Sequence, residues 1–210
     1  MLLLRAIAAW DRQRARGFLR RRSQIEAREP CSPHVRLASV SLGTGGRLEL
    51  GAGFATERRA GANVIRVGAG ARVSLGDRVW LRTDYGTNYL TAFDGASIAV
   101  GPDGLINGAM IHAKSAITIG SDFRMGFGAR VLDADLHDLD ADTRERIAPV
   151  RIGDRVWLAS DAVVLRGVTI GDDVVVAAGA IVTRDLPSRC VAAGAPAAPI
   201  RSIGSRVGCR

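Results

Sequence analysis

Aliphatic residues recur every six positions in the second half of the chain, and this period constrains the fold more than any other feature of the sequence. The repeat runs through Ile152, Leu158, Val164, Ile170, Val176 and Val182. Four positions after the first five of these stand the small or aliphatic residues Val156, Ala162, Val168, Val174 and Ala180. A period of six fits neither the turn of an α-helix nor the alternation of a strand. It is typical of a hexapeptide β-helix, in which three hexads close one triangular coil.

The repeat continues upstream with more noise. Val100 and Ile106 are in phase with each other, a second phase, shifted by one residue, runs through Ile119, Met125 and Val131, and steps such as Leu50-Gly51 resemble degenerate coils. The sequence therefore predicts an all-β fold, a left-handed parallel β-helix with a short N-terminal α-helix and an extruded active-site loop. We expect a helix within 1–30, the β-helix over 31–187 with the loop at 133–149, and a basic tail over 188–210. The longest apolar run has nine residues, which is half of a membrane span.

The first thirty residues form a separate segment, with eight arginines and three acids. Leu3, Ile7, Trp10 and Phe18 lie at roughly helical spacing, and Pro30 ends the segment. The favoured interpretation is a helix packed on its own domain or on a partner chain. The alternative is peripheral contact with an anionic inner membrane surface. The apolar start is too short for a secretory signal, and three cysteines without paired spacing fit a reducing cytoplasm.

The formal net charge is +8, and Lys114 is the only lysine. Such a balance fits nucleic acid, anionic lipid or a phosphorylated ligand, and it also fits a coding bias toward arginine. Nucleic acid is disfavoured because the arginines are not interleaved with aromatic residues and no recognition-helix motif occurs.

One interruption of the repeat points to function. Val131 and Ile152 are 21 residues apart, which is not a multiple of six, so a loop over 133–149 must leave the solenoid. His137 stands near its start and is a candidate general base. One of the nearby carboxylates (Asp133, Asp135, Asp138) or a backbone carbonyl could orient its ring. The alternative is a solvated surface histidine in a charged loop.

The stretch from Ile117 to Arg201 resembles the hexapeptide-repeat acyltransferases, in the branch of the maltose, galactoside, nodulation and exopolysaccharide O-acetyltransferases. The resemblance rests on the segments Ile117-Thr-Ile-Gly, Asp133-Ala-Asp-Leu-His-Asp, Val150-Arg-Ile-Gly-Asp-Arg-Val-Trp-Leu, Gly167-Val-Thr-Ile-Gly-Asp, Ala178-Gly-Ala-Ile-Val-Thr-Arg-Asp-Leu-Pro and Val191-Ala-Ala-Gly-Ala-Pro-Ala. It covers about two fifths of the chain well and is not specific for the acceptor.

The resemblance implies homotrimers with active sites between neighbouring solenoids and acetyl-CoA as co-substrate, without a metal. His137 would deprotonate the acceptor and then protonate the leaving thiolate, while backbone N–H groups stabilise the oxyanion. Asn107 would orient the acceptor, or it is an asparagine at a coil corner. Coenzyme A would contact Trp157, Ser160 and Ala178, and its phosphates would meet Thr183, Arg184 and Arg189. Residues 184–210 independently carry five arginines against one acid, so this tail suits phosphates or is simply solvated.

Asp138 replaces the proline that follows the catalytic histidine in the maltose and galactoside enzymes, and their N-terminal domain is not recognisable. Both departures favour an O-acyltransferase acting on a sugar or cell-envelope polysaccharide precursor. The alternatives are an N-acyltransferase acting on a nucleotide-linked amino sugar and a non-catalytic β-helix scaffold. A γ-type carbonic anhydrase is disfavoured because the three histidines, His34, His112 and His137, lack the required five-residue spacing.

Overall fold

The computed structural model of the chain describes residues 2–20 and 22–209, with side chains from residue 9 onward except that of residue 20. It begins with helix α1 (Leu2–Arg20) and contains one 3₁₀ helix (Pro33–Leu37). No helix within the described residues has the length and apolar character needed to cross a membrane. All other regular structure is β-strand, in three sheets that form the sides of a triangular prism.

Each turn of the chain visits the three sheets in the order III, I, II. Sheet I contains, in spatial order, β1 (Ile25–Ala27), β3 (Arg47–Leu50), β6 (Arg72–Leu75), β9 (Ser97–Val100), β12 (Ala116–Ile119), β15 (Val150–Ile152) and β18 (Thr169–Ile170). Sheet II contains β4 (Ala55–Thr56), β7 (Trp80–Arg82), β10 (Leu105–Asn107), β13 (Arg124–Met125), β16 (Trp157–Leu158), β19 (Val175–Val176), β21 (Cys190–Gly194) and β22 (Ala197–Ser202). Sheet III contains β2 (Ser39–Leu42), β5 (Asn63–Val67), β8 (Asn88–Ala92), β11 (Met110–Ala113), β14 (Arg130–Leu132), β17 (Val163–Val164) and β20 (Ile181–Val182).

The six-residue period places one buried aliphatic side chain on each side of the prism. Ile152 pairs with Ile170 in sheet I, Leu158 with Val176 in sheet II, and Val164 with Val182 in sheet III. The members of this repeat are at most 4% exposed. A narrow interior filled from three sides has little room for large rings, which agrees with the aromatic content of 5%. The predicted fold class, an all-β left-handed parallel β-helix with one short N-terminal helix, is confirmed.

The coils differ in length along the molecule. Ile152 and Ile170 are one coil apart, so each of the late coils, which span 150–182, consists of three hexads. Leu48, Val73 and Ile98 share one register position in sheet I and follow each other at intervals of 25 residues. Each of these first coils, called here the early coils, is therefore seven residues longer than three hexads. The coil between Ile117 and Val150 is longer still, because it contains the extruded loop.

Strands outside the range 31–187 also belong to the solenoid. β1 pairs with β3 in sheet I, and β21 pairs in parallel with β19 in sheet II before β22 folds back antiparallel. The parallel β-helix therefore begins upstream of residue 31, and part of the basic tail is an ordered hairpin.

Helix α1 packs against the 3₁₀ helix of its own chain. Asp11 is only 3% exposed, and its carboxylate lies 2.5 Å from an Arg36 nitrogen and 3.8 Å from an Arg58 nitrogen. Trp10 is half-exposed, with the Arg14 guanidinium 4.5 Å from its ring centroid. The side chains of Leu3 and Ile7 lie outside the described residues, so the predicted apolar stripe is described only from Trp10 onward.

Candidate functional site

A cleft of about 530 Å³ lies at the corner between sheets II and III, called here the corner cleft. Four of the predicted site residues line it: Asn107, Trp157, Ser160 and Ala178. The other lining residues are Tyr85, Gly126, Phe127, Ala159, Val175 and Ala177. They come from five consecutive coils, those of β7, β10, β13, β16 and β19. At about 4.8 Å between neighbouring strands, the corner cleft is about 19 Å long.

Small side chains form the late-coil half of the corner cleft. Ser160 and Ala178 stand two residues after the buried Leu158 and Val176, so they occupy equivalent positions on neighbouring coils. Within the described residues, the backbone N–H groups of Ser160 and Ala178 have no hydrogen-bond partner. A Cβ on Gly126 would lie 3.0 Å from the Ser160 nitrogen, so the chain approaches closely here. This half can therefore admit a thin, extended ligand and offers it two backbone donors.

The early-coil half of the corner cleft is polar and aromatic. Asn107 is 9% exposed, and its amide nitrogen lies 3.5 Å from a carboxylate oxygen of Asp84. Its amide oxygen is buried and has no hydrogen-bond partner among the described residues. Tyr85 is 72% exposed, and Phe127 packs against Gly86 and Gly108 closely enough that a Cβ on either glycine would lie 2.9 Å from its ring.

The extruded loop at 133–149 leaves a different corner, the one between sheets III and I. Asp133 is fully buried at its base and accepts the backbone N–H groups of Lys114 and Ser115 at 2.7 and 2.8 Å. Lys114 itself forms an ion pair with Glu145 at 2.8 Å. These contacts fix both ends of the loop to the preceding coil.

His137 lies on this loop in a depression of about 500 Å³ that Arg166 and Arg144 also line. It is exposed, and it follows Leu136, whose φ of 72° turns the chain into the left-handed region. The carboxylates predicted to orient the ring have other partners. Asp135 lies 3.1 Å from Arg166, and Asp138 lies 2.8 Å from Arg144. Across residues 2–20 and 22–209, no hydrogen bond or ion pair reaches the His137 ring.

The partners of Asp138 also set its charge. The backbone N–H of Glu145 and the Arg144 guanidinium both hold the pKa of the Asp138 carboxyl below its usual value. The loop thus presents an ionised Asp138 next to His137 in the sequence. The carboxylate is bonded within the loop to Glu145 and Arg144, and the charges of Lys114 and His137 lower its pKa further.

One chain does not bring all the predicted residues together. Asn107, Trp157, Ser160 and Ala178 lie at the II–III corner, whereas His137, Thr183 and Arg184 lie at the III–I corner. Arg189 lies at the I–II corner, where its backbone carbonyl accepts the N–H of Ile203. The first two corners border the same sheet, sheet III.

The C-terminal tail is fastened beside Trp157. Asp173 is 3% exposed and accepts the Arg206 backbone N–H at 2.6 Å, the Ser205 hydroxyl at 3.3 Å and the Arg155 guanidinium at 2.7 Å. These bonds, Arg155 foremost, lower the pKa of the Asp173 carboxyl to about 2. The Arg206 guanidinium then lies 5.7 Å from the centroid of the Trp157 ring. Part of the basic tail is therefore held against one wall of the corner cleft.

The remaining histidines have separate surroundings. His34 contacts the Thr56 carbonyl, and His112 is half-buried on sheet III, where burial lowers the pKa of its ring. Among the side chains that the structure describes, no group of three or more histidines, cysteines or acids could hold a metal ion.

Sequence reasoning missed Tyr85, Phe127 and Arg166. Phe127 stands two residues after the buried Met125, as Ser160 does after Leu158, so the register of the repeat could have indicated it. Arg166 stands two residues after Val164 and could have been found in the same way. Tyr85 lies in a long corner of an early coil, where the hexad phase gives no signal.

Comparison with known proteins agrees with the repeat. The family described as bacterial transferase hexapeptide (six repeats) matches residues 149–184. Galactoside O-acetyltransferase of Escherichia coli (strain K12) is 32% identical over 144 residues, which cover 63% of this chain and 65% of that protein. A relative from Schizosaccharomyces pombe is 43% identical over 91 residues, 41% of this chain and 44% of the relative. The chain thus spans less than two thirds of the length of either relative.

The solved structures show the same fold at low identity. The polySia specific acetyltransferase NeuO superposes with a TM-score of 0.56 at 19% identity, covering 87% of this chain and 92% of that chain. The match of residues 149–184 confirms the resemblance to hexapeptide-repeat transferases that the sequence motifs carry, and the superposition confirms the fold.

Proposed function

We propose that the chain, whose residues 149–184 match the family described as bacterial transferase hexapeptide (six repeats), is an acyl-CoA-dependent O-acyltransferase. It transfers an acetyl group to a hydroxyl of a sugar or of a cell-envelope polysaccharide precursor. One observation supports this proposal above others. Four residues that the resemblance assigns to two ligands, Asn107 to the acceptor and Trp157, Ser160 and Ala178 to coenzyme A, line a single cleft.

The late-coil half of the corner cleft suits the pantetheine arm of acetyl-CoA. That arm is narrow and carries two amide carbonyls. The N–H groups of Ser160 and Ala178, which have no partner in the described part of the chain, are suitable donors for them. Trp157 and Val175 supply an apolar wall. Bound there, acetyl-CoA supplies an activated acyl group as a thioester. Thr183 and Arg184 of a neighbouring copy would meet the phosphates, because they lie on the same coil as Ala178.

His137 is the proton-transfer group of the proposed reaction. Its neutral imidazole takes the proton from the acceptor hydroxyl, whose oxygen forms the new ester bond as the carbon–sulfur bond breaks. The protonated ring then returns the proton to the thiolate. A positioned histidine of this kind typically contributes 10²–10⁴-fold to a rate. Asn107, on the β10 coil, holds the acceptor. The loop that carries His137 departs from the next coil, that of β13.

We further propose a homotrimer in which sheet III faces the symmetry axis. The outer face of sheet III carries a column of mostly apolar side chains, Val64, Tyr89, Met110, Arg130, Val163 and Ile181. The equivalent column of sheet I is Glu49, Ser74, Ala99, Thr118, Arg151 and Thr169. Closed rotation about an axis beside sheet III would bring the III–I corner of one copy to the II–III corner of the next.

The relatives support an acetyl group and a sugar hydroxyl as the two substrates. The Escherichia coli relative is named for O-acetylation of galactosides, and it matches over 144 residues. Asp138 differs from the proline of free-sugar enzymes, and it is committed to Arg144 at the rim of the depression around His137. We therefore place the acceptor among surface glycans and their precursors, which present hydroxyls on a longer chain.

The test is an acetyl-CoA turnover screen that measures free thiol release across sugars, nucleotide-linked amino sugars and envelope glycans. The expected product carries an alkali-labile ester. An alkali-stable amide on an amino sugar would instead establish the N-acyltransferase alternative. Failure of the wild type to bind acetyl-CoA in calorimetry would leave only the scaffold interpretation.

The shared site has its own test in mixed oligomers. His137→Ala and Ala178→Trp are each expected to be inactive alone, since each spoils one contribution to every site. Mixing and refolding the two together restores part of the activity if one copy provides His137 and its neighbour provides Ala178. A mixture with no activity, from variants that both form trimers, would place the whole site within one chain and contradict the proposal.

The proposed reaction also implies the cell compartment in which the protein acts. Acyl-CoA thioesters are supplied in the cytoplasm, so we propose a cytoplasmic protein. Contact of α1 with the inner membrane surface can be measured by liposome flotation with and without residues 1–30; equal flotation rejects such contact.

A further inference from the structure

The corner loop 83–87, on the early coils, is built as a rigid end wall of the corner cleft. Asn88 is fully buried beneath it and donates to the Arg82 carbonyl at 2.6 Å and to Asn63 at 2.8 Å. Glu57 accepts both the backbone N–H and the hydroxyl of Thr83, at 2.7 and 2.8 Å. A loop held from below by an asparagine ladder and from the side by a carboxylate has a fixed geometry.

Asn107 faces this wall with an unsatisfied group. Its amide nitrogen points at Asp84, 3.5 Å away, and a carboxylate only accepts hydrogen bonds. This contact therefore identifies which end of the Asn107 side chain is the amide nitrogen and which is the amide oxygen. The amide oxygen has no partner among the side chains and backbone groups that the structure describes, although the side chain is nine-tenths buried and lines the corner cleft. A buried acceptor in this state costs free energy unless a ligand donates to it.

Asp84 is held in place by an arginine that belongs to the same wall. Arg82 forms an ion pair with Asp84, and its Nε lies 3.9 Å from Glu57. The Arg82 guanidinium also lies 4.8 Å from the centroid of the Trp80 ring. Arg82 is directed to two carboxylates, although its Nε has no hydrogen-bond partner within the described residues. The Asp84 carboxylate and the Asn107 amide oxygen are the hydrogen-bond acceptors that lie side by side here.

We propose that Asp84, positioned by Arg82, forms an acceptor subsite with the Asn107 amide oxygen. The subsite selects ligands that present two neighbouring hydrogen-bond donors, namely the vicinal hydroxyl groups of a sugar ring. One hydroxyl donates to Asp84 and the adjacent one to Asn107. This inference rests on the proposed function and adds to it a specificity-determining residue and the recognised chemical feature of the acceptor.

The experiment is a double-mutant cycle in which the protein is changed at Asp84 and the ligand loses one hydroxyl group at a time. Binding of methyl α-D-glucopyranoside and its monodeoxy analogues is measured by ligand-observed NMR for the wild type and for Asp84→Asn. Asp103→Asn is the matched control, because Asp103 is also a partly exposed carboxylate paired with an arginine, Arg78, but lies at the I–II corner. We expect Asp84→Asn to weaken binding about tenfold, because a hydrogen bond to a charged group is lost. Asp103→Asn is expected to leave binding unchanged.

The decisive result is non-additivity. One deoxy position should weaken binding to the wild type and have little further effect in Asp84→Asn. Additive effects at every position, equal behaviour of Asp84→Asn and Asp103→Asn, or no sugar binding by the wild type would each overturn the subsite. Acetyl transfer is measured in parallel. Acetyl transfer with additive effects of Asp84→Asn and the deoxy positions overturns the subsite alone. Non-additive effects without acetyl transfer overturn the proposed function alone.

Discussion

The early and late coils use the same prism but turn its II–III corner differently. In the late coils that corner takes a few small residues, such as Ala177 and Ala178, because three hexads suffice for a complete turn. In the early coils the same corner takes residues 57–62 and 83–87, which carry Glu57, Asp84 and Tyr85. The difference shows how one cleft acquires two kinds of end. Short corners leave an open, thin channel, and long corners build a polar wall.

The largest expected effect lies where the two halves meet. His137→Ala should lower kcat for acetyl transfer about 10³-fold, because it removes the proposed general base and the loop at 133–149 carries no second imidazole. Its exposed position predicts an unchanged melting temperature. Asp142→Ala, on the same loop and exposed, is the control and should retain wild-type activity. A His137→Ala enzyme within tenfold of wild type would show that the loop does not provide the base.

A second change tests the late-coil half. Ala178→Leu should raise the KM for acetyl-CoA at least tenfold, since the added carbons occupy the narrow channel, while the KM for the acceptor changes little. Ala99→Leu makes the same substitution on the outer face of sheet I and should be silent. Steady-state kinetics with each substrate varied in turn distinguishes the two. An effect of Ala178→Leu on the acceptor alone would reverse the assignment of the two ends.

For the early-coil half of the corner cleft we expect the opposite pattern of KM changes. Asn107→Ala should raise the KM for the acceptor about tenfold and leave the KM for acetyl-CoA within twofold, because one hydrogen bond to the acceptor is lost. The same kinetic measurements test this variant. Equal changes in both KM values would indicate that Asn107 supports the coil corner rather than a ligand.

The smallest expected effect concerns acid stability in the late coils. The pKa of Asp173 is about 2 in the folded protein, below that of a free aspartate near 3.9. Its ionised form therefore stabilises the fold above about pH 4, and this contribution is lost as the pH falls toward 2. Urea unfolding of the wild type and of Asp173→Asn, at several pH values between 5 and 2, should show a difference that shrinks with acidity. A constant difference would assign the effect of the substitution to packing.

The late coils could be predicted from sequence because their geometry repeats in it. With three hexads per turn, the register of Ile152 and Ile170 is visible as a period of six, and Ser160 and Ala178 follow from the same count. The early coils were recognisable only as steps such as Leu50-Gly51, because the extra positions in each turn hide the phase. Their contribution to the site depends on contacts between residues in successive coils, such as Asn63 with Asn88, which a single sequence does not reveal.

The candidate site was predictable residue by residue but not as an arrangement. Ser160 and Ala178 share a register position two residues after the buried Leu158 and Val176, whereas Trp157 stands one residue before Leu158 and Asn107 one residue after Ile106. That Asp133 would bind the backbone of Lys114 and Ser115, and that Asp135 would pair with Arg166, depends on how the loop folds back onto its coil. Patterns of hydrophobic residues carry no information about such polar contacts.

The two ends of the solenoid are closed in different ways, by α1 with the 3₁₀ helix at one end and by the antiparallel hairpin β21–β22 at the other. Closed ends prevent molecules from stacking coil on coil into fibres. They also confine any growth of the molecule to its middle. Inserting one whole turn of three hexads would lengthen the channel by about 4.8 Å and leave every corner aligned, whereas residues that do not complete a turn must leave the prism at a corner, as the loop at 133–149 does. Proteins of this design can therefore adjust reach in discrete steps while the chemistry at each end stays the same.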